Sequence, residues 1–114
     1  MEEEIFRKTD ELVEIIRNSE EYLKYHKNLS IIKQDGELYN RVNELRRRNF
    51  EIQNGDIPRL GYTEYDELSN LSNELRKNPV ISEFLDSEIG LARMIQEIQR
   101  RLMSGIEFDG EFLD

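Results

Sequence analysis

Few residues in this sequence have a type and spacing that could support chemistry. There is a single histidine, His26, and there are no cysteines. A lone histidine cannot supply the usual zinc ligand sets, and without cysteine the chain has no disulfide, no thiolate ligand and no cysteine nucleophile. Catalysis by His26 as a general base would need a partner that orients its ring. Because Tyr22, Tyr25 and Leu29 surround it in sequence, we predict a surface or interface histidine.

The carboxylates are numerous, but their spacing is generic. A di-metal site in a helical bundle uses Glu-x-x-His pairs, whereas Leu23 stands three residues before His26. The segment Asp35-Gly36-Glu37 lacks the alternating acids and the closing glutamate of a calcium-binding loop. We therefore predict no catalytic residue, no metal ligand and no bound cofactor, and a small enzyme that uses carboxylates and His26 remains an alternative.

The charge of the chain bears on which partners it can have. The formal net charge is −9 over 114 residues, so direct binding to nucleic acid, which needs a basic field, is not expected. The same charge disfavours adsorption to anionic membranes. The start Met1-Glu2-Glu3-Glu4 lacks the basic and apolar character of a signal peptide, and we expect a cytoplasmic protein.

One dense basic run, Arg46-Arg47-Arg48, interrupts this acidic background. Consecutive residues of a helix fan out around its axis, so the three side chains cannot form one compact face. Two interpretations remain: a solvated face near the end of a helix, or a docking point for an acidic partner or for RNA held by a partner.

The elements that must position these residues are all predicted to be helices. Apolar residues recur at helical spacing throughout, and no sustained alternation typical of strands competes. Helix boundaries are marked by Asn18-Ser19, by Asp35-Gly36, by the loop segment 54–58 and by Asn78-Pro79, where Asn is a strong N-cap and Pro suits the first helical position. We predict an all-α bundle of about five helices, arranged as helical hairpins with a long C-terminal helix, in one domain over residues 1–114.

Two of these helices carry a coiled-coil-like seam, in which apolar residues alternate at spacings of four and three. Since apolar residues make up only 37% of the chain, thin seams of this kind favour self-association as a homodimer or a larger homo-oligomer. Either seam could instead form the core of one chain, because periodicity does not say what covers a face. The interface residues that we predict are Leu91, Ile95, Ile98 and Leu102 in the long helix, followed by Leu38, Val42 and Leu45.

Asn49 and Glu88 stand at seam positions where a hydrophobic residue is expected. A buried polar group at a seam lowers stability but selects one alignment or oligomeric state. The alternative is that the apolar face is slightly rotated and leaves both side chains in solvent. We predict Asn49 and Glu88 as candidate residues that set the register between packed helices.

The last ten residues, 105–114, form a predicted flexible tail that mixes acids with large apolar side chains, among them Phe108 and Phe112. Such a tail can fold back on its own bundle, pack on a second subunit, or act as a short linear motif for the groove of a partner.

Two stretches of this sequence resemble the YlbF/YmcA family of small helical bacterial regulators. They are Asn18-Ser19-Glu20-Glu21-Tyr22-Leu23-Lys24-Tyr25 followed by Asp35-Gly36-Glu37-Leu38, and residues 73–85, where Leu75-x-x-Asn78-Pro79-x-Ile81 precedes the long helix. The resemblance implies a helical bundle that assembles through its long helices. It also implies a non-enzymatic regulator of competence, sporulation and biofilm formation, in some members through a complex that adjusts an RNA-degrading endonuclease.

The resemblance does not extend to every property of the family. Some members carry cysteines linked to an iron–sulfur cluster, and this chain has none, so that cofactor is not expected here. We therefore predict a regulator that acts through protein–protein interaction. The alternative to it is a structural or chaperone-like helical oligomer with no dedicated partner.

Overall fold

The computed structural model describes residues 1–53 and 62–113. These residues form five α-helices and one short 3-10 turn, Glu111–Leu113. The predicted all-α architecture with a long C-terminal helix is confirmed, whereas the loop predicted over residues 54–58 lies outside the described residues. The helices are α1 (Glu2–Arg17), α2 (Glu20–Lys33), α3 (Gly36–Gln53), α4 (Tyr62–Leu75) and α5 (Pro79–Gly105).

Short polar side chains begin three of these helices. Ser19 accepts a hydrogen bond from the backbone N–H of Tyr22 at the start of α2. Asp35 accepts one from Leu38 at the start of α3, and Asn78 accepts one from Val80 at the start of α5. Each of these bonds satisfies a donor that has no partner within the helix. Because capping is local, the sequence predicted all three starts.

The core lies where α2 packs along the first half of α5. Tyr25 stacks on Phe84 with their ring centroids 5.1 Å apart, and Glu21 lies beside Gly90. Residue numbers thus fall along α2 as they rise along α5, so the two helices are antiparallel. Helices α3 and α4 close the core with apolar side chains of their own. The buried hydrophobic residues are Ile32, Val42, Leu45, Leu68, Leu75, Ile81, Phe84 and Leu85.

The molecule is flat and extended for its length. Its radius of gyration is 18.3 Å and its extents are 49 × 39 × 17 Å, whereas a compact domain of this length has a radius of about 13 Å. Two elements account for the difference: no residue of α1 is buried, and the second half of α5 extends beyond the core. None of the helices in the described part of the chain has both the length and the apolar composition needed to cross a membrane.

Candidate functional site

An ion pair between α3 and α5 lies at one edge of the core. The Nε atom of Arg46 donates to both carboxylate oxygens of Glu88, at 3.2 and 3.0 Å, and its Nη2 atom donates to Oε2 at 2.6 Å. Arg46 also donates to Asn43 at 2.9 Å and to the hydroxyl of Tyr25 at 3.3 Å. The guanidinium carbon lies 5.2 Å from the centroid of the Phe84 ring. One arginine therefore joins three helices.

The surroundings of Arg46 keep it charged. Partial burial disfavours the guanidinium ion, but the hydrogen bond and the negative charge of Glu88 outweigh that penalty and raise the pKa of Arg46 above its ordinary value. Both side chains are about one-third exposed or less. Because the pairing is bidentate and partly shielded from water, it is stronger than an ordinary surface ion pair.

Beside this pair, α3, α4 and α5 enclose an open groove of about 550 Å³. Its charged lining consists of Arg46, Arg47, Arg76 and Glu88. Each arginine is already paired with a carboxylate: Arg46 with Glu88, Arg47 with Glu51 at 3.9 Å, and Arg76 with Asp86 at 2.9 Å. Its apolar lining includes Leu85 and Ile89. Because these ion pairs offset the three positive charges, the charge of the groove does not select an acidic ligand.

The predicted interface on α5 continues the face that is buried in the core. Phe84 of this face is fully buried under α2, but α2 begins at Glu20, beside Gly90. Beyond Gly90 the same face of α5 continues, but α2 no longer covers it. Leu91 and Ile98 are half-buried, Ile95 is 46% exposed and Leu102 is 56% exposed. We call Leu91, Ile95, Ile98 and Leu102 the distal face of α5.

The predicted seam of α3 is placed differently. Val42 and Leu45 are buried in the core of the single chain, and Leu38 packs against that core. They are therefore not free to form a surface for a second copy, because α2, α4 and α5 already enclose them. Of the two placements that periodicity left open for this seam, the structure has the intrachain one.

The two register-setting candidates also differ. Glu88 is half-buried and connects α5 to α3 through its ion pair with Arg46, whereas Asn49 is exposed in the single chain. The buried asparagine is instead Asn28 on α2, which is 4% exposed. Its Nδ2 atom has no hydrogen-bond partner among the described residues. Sequence reasoning missed Asn28, since it lies next to Leu29 in a helix with a weakly defined apolar face.

Sequence reasoning also missed the inward position of Arg46. Of the three consecutive arginines, Arg47 is the most exposed and lies 3.9 Å from Glu51, whereas Arg48 pairs with Glu44 along α3 at 3.2 Å. Three consecutive helical residues cover about 200° of the axis, so one member of the run faces the body of the protein. In the sequence, this geometric constraint was the available indication that one of the three arginines faces inward.

His26 lies on the exposed side of α2. Its ring contacts those of Tyr22 and Tyr25, with centroids 4.5 and 5.5 Å away. Within residues 1–53 and 62–113, no group of three or more His, Cys, Asp or Glu side chains could hold a metal ion.

Comparisons with known proteins place these features in a family context. A family model described as "Control of competence regulator ComK, YlbF/YmcA" matches residues 5–107. The chain is 28% identical over 98 residues to a UPF0342 protein of Desulfitobacterium hafniense (strain Y51), an alignment that covers 84% of this chain and 79% of the relative. It is 26% identical over 103 residues to a UPF0342 protein of Caldicellulosiruptor bescii, covering 89% and 87%. No solved structure matches the chain.

Proposed function

The chain belongs to the YlbF/YmcA family, and on that premise we propose that it is a non-enzymatic regulator that self-associates and acts by binding partner proteins. The regulatory role follows the description of the family. The mechanism is our inference, and the observation that carries it is the distal face of α5, an apolar stripe that the single chain leaves largely uncovered.

A second copy is the occupant that best fits this face. The face is a narrow stripe with alternating spacings of four and three residues, which is the pattern of helices that pack against each other. Two copies can pair it with itself about a two-fold axis, the commonest symmetry of homodimers. Pairing in antiparallel orientation places the two cores, which surround the first half of each α5, at opposite ends of the dimer.

Helix α1 supplies further apolar surface for assembly or for a partner. Its residues Ile5, Phe6 and Ile15 are between 61% and 69% exposed. A helix of this length is marginal in water unless one face packs against something. We propose that α1 is covered in the assembled form.

The test of self-association is the solution mass, measured by light scattering over a range of concentrations. We expect the wild type to form a dimer or a larger species. The variant Ile95→Glu/Leu102→Glu should dissociate it, because each change places a charge in an apolar interface. The matched control is Gln96→Glu/Ser104→Glu, which adds the same charge to the opposite side of the same helix and should leave the mass unchanged. A monomeric wild type at all concentrations would refute the assembly.

The finer role rests on the resemblance to the characterised family members. We propose that the assembled protein acts on competence, sporulation or biofilm formation through a complex that adjusts RNA degradation. The chain would contact a protein of that complex rather than RNA, since its charge opposes binding to phosphate. Deletion of the gene in its host should lengthen or shorten the half-lives of specific transcripts, and complementation with Ile95→Glu/Leu102→Glu should fail. Unchanged transcript half-lives on deletion would contradict this role.

A further inference from the structure

Helix α1 and the second half of α5 are amphipathic helices of nearly equal length, and the single chain leaves the apolar face of each largely uncovered. Over Glu2–Arg17, α1 is about 24 Å long, and from Gly90 to Gly105 α5 rises about 23 Å. We propose that α1 of one copy packs along this part of α5 of a second copy. The inference deepens the proposed self-association and rests on it, because it names the segment that covers α1 and completes the interface between the copies.

Helix α1 has a continuous apolar face that nothing in the single chain buries. Ile5, Leu12 and Ile16 recur at helical spacing, and Phe6 and Val13 widen the same face. Ile5 is 61% exposed and Leu12 is 38% exposed, and no residue of the helix is buried. Because an isolated helix of 16 residues is marginal in water, this face needs another apolar surface to pack against.

The area of the interface also favours a contribution from α1. From their exposed fractions, the four residues of the distal face offer at most about 350 Å² per copy, so two paired faces bury at most about 700 Å² of apolar surface. A stable homodimer interface buries at least about 1,200 Å², of which about 800 Å² is apolar. Exposed apolar residues of α1 add about 400 Å² per copy. With α1, the interface therefore exceeds the required area, whereas pairing of the distal faces alone falls short of it.

Hydrogen bonds at Asn18-Ser19 fix the joint between α1 and α2. The Ser19 hydroxyl donates to the carbonyl oxygen of Ile16 at 2.6 Å and accepts the backbone N–H of Tyr22 at 3.3 Å. The side-chain amide of Asn18 donates to the carbonyl oxygen of Glu14 at 2.7 Å. With this joint, α1 leaves the distal face of its own α5 exposed. A swing of α1 onto its own α5 would break these bonds, which favours α1 of a second copy as the occupant.

Met94 marks the side of α5 on which α1 packs. It lies one turn beyond Gly90 on the same side of the helix, and Gly90 lies beside Glu21 at the start of α2. Helix α1 therefore joins the core on this side. The two-fold axis of an antiparallel pair keeps the Met94 sides of both α5 helices on one face of the pair. The two α1 helices start on that face from opposite ends, and together the four helices form a four-helix bundle.

The antiparallel dimer also brings α1 level with the exposed part of the partner's α5. If two distal faces pair about the midpoint between Ile95 and Ile98, Gly90 of one copy lies level with Met103 of the partner subunit. Helix α1 then leaves its own core beside the C-terminal end of the partner's α5. Its length of about 24 Å is sufficient to follow that helix back to the core of the second copy.

The first test weakens the α1 contact without a change in α5. Ile5→Glu/Leu12→Glu places two charges on the apolar face of α1. The dissociation constant of the dimer, measured by sedimentation equilibrium, should rise about a hundredfold, as for the loss of two well-packed interface side chains. The matched control is Arg7→Glu, which changes the net charge by the same amount on the opposite side of α1 and should leave the constant unchanged.

The outcomes of this test separate the α1 contact from self-association itself. A dimer that Ile95→Glu/Leu102→Glu dissociates but Ile5→Glu/Leu12→Glu leaves intact would refute the α1 contact alone. A wild type that is monomeric at all concentrations would refute the self-association on which the contact rests. Circular dichroism of the monomeric variants checks that the core, which does not include α1, remains folded.

Cross-linking identifies the segment that α1 contacts. In the proposed dimer, Leu12 lies within about one turn of Met94 of the partner subunit. Since the chain has no cysteine, a mixture of Leu12→Cys and Met94→Cys proteins, one of them isotopically labelled, should give a mixed covalent dimer with a short bismaleimide. Gln96→Cys, which is exposed on the opposite side of α5, is the control and should react much less with Leu12→Cys.

A chain that carries both Leu12→Cys and Met94→Cys distinguishes contact between copies from contact within one chain. It should give a covalent dimer by mass spectrometry. An internally cross-linked monomer as the main product would overturn the proposal in favour of closure of α1 on its own α5. Equal yields of the mixed dimer with cysteine at positions 94 and 96 would also overturn it, because the contact would then have no preferred side.

Discussion

Arg46 and Glu88 are 42 positions apart in sequence, yet their side chains form a bidentate ion pair that joins α3 to α5. Arg46 also contacts Tyr25 of α2, so the side chains of this pair connect three helices. The pair also lines the groove between α3, α4 and α5. The same two residues therefore take part both in the contact between helices and in the lining of the candidate site.

Removal of either partner should destabilise the fold. For Arg46→Met or Glu88→Gln we expect the free energy of unfolding to fall by about 1–2 kcal/mol, between the values typical of exposed and of buried ion pairs. Urea unfolding measures the loss, and a double-mutant cycle separates the pair from its other contacts. Arg48→Met, which breaks the more exposed pair with Glu44, is the control and should cost less than about 0.5 kcal/mol. Equal losses at positions 46 and 48 would contradict a special role for the inner pair.

Substitution of Asn28 is expected to stabilise the fold, whereas substitution of Arg46 or Glu88 is expected to destabilise it. Its side chain is buried and its Nδ2 atom has no partner among the described residues, and an unsatisfied buried donor costs about 1–3 kcal/mol. Replacement by leucine, whose side chain has the same branching and the same number of heavy atoms, should therefore raise the free energy of unfolding by about 1 kcal/mol. Thermal unfolding followed by circular dichroism tests this prediction, with the exposed Asn40→Leu as control. A loss of stability at position 28 would mean that the amide makes a hydrogen bond, for example to a buried water.

Gly90 lies inside α5, where glycine costs about 1 kcal/mol relative to alanine. A Cβ atom at this position would approach Oε2 of Glu21 to 2.8 Å. Because that oxygen is the end of a flexible side chain at the surface of α2, it can move aside. We expect Gly90→Ala to raise the melting temperature and to increase the helical signal slightly. A fall in stability would show instead that the close approach of α2 to α5 requires glycine.

The acid response of the distal part of α5 should depend on Glu97. Hydrogen bonds from Arg100 and then from Arg101 lower the pKa of Glu97 from 4.5 to about 2. Since the pKa is lower in the folded protein, ionised Glu97 stabilises the helix above pH 4.5, and this contribution is lost as the pH falls towards 2. A carboxyl-detected NMR titration should place Glu97 below the other glutamates.

The same ion-pair cluster gives a second check by circular dichroism. Glu97→Gln should make the helical signal less sensitive to pH between 4.5 and 2, whereas Glu107→Gln, which removes a carboxylate outside this cluster, should leave the response unchanged. High salt should raise the pKa of Glu97 towards its ordinary value, because the pairing groups are exposed. A titration midpoint near 4.5 at low salt would contradict the ion pairing seen in the structure.

The sequence by itself determined the all-α class, the starts of α2, α3 and α5, and the extent of the long C-terminal helix. These features depend on interactions within a few residues: a capping side chain such as Asn78, a proline at the first helical position, and the 3.6-residue period of apolar positions. The family resemblance likewise rested on local motifs around such caps, and the family model confirms it.

Only the tertiary structure decided what covers each apolar face. Periodicity marks a face as apolar but contains no information about its neighbour, so the similar seams of α3 and α5 could not be told apart. The structure buries Val42 and Leu45 within the chain and leaves Ile95 and Leu102 exposed. The inward position of Arg46 in particular, and the burial of Asn28, depend on contacts between helices distant in sequence, and local spacing does not identify the residues that make such contacts.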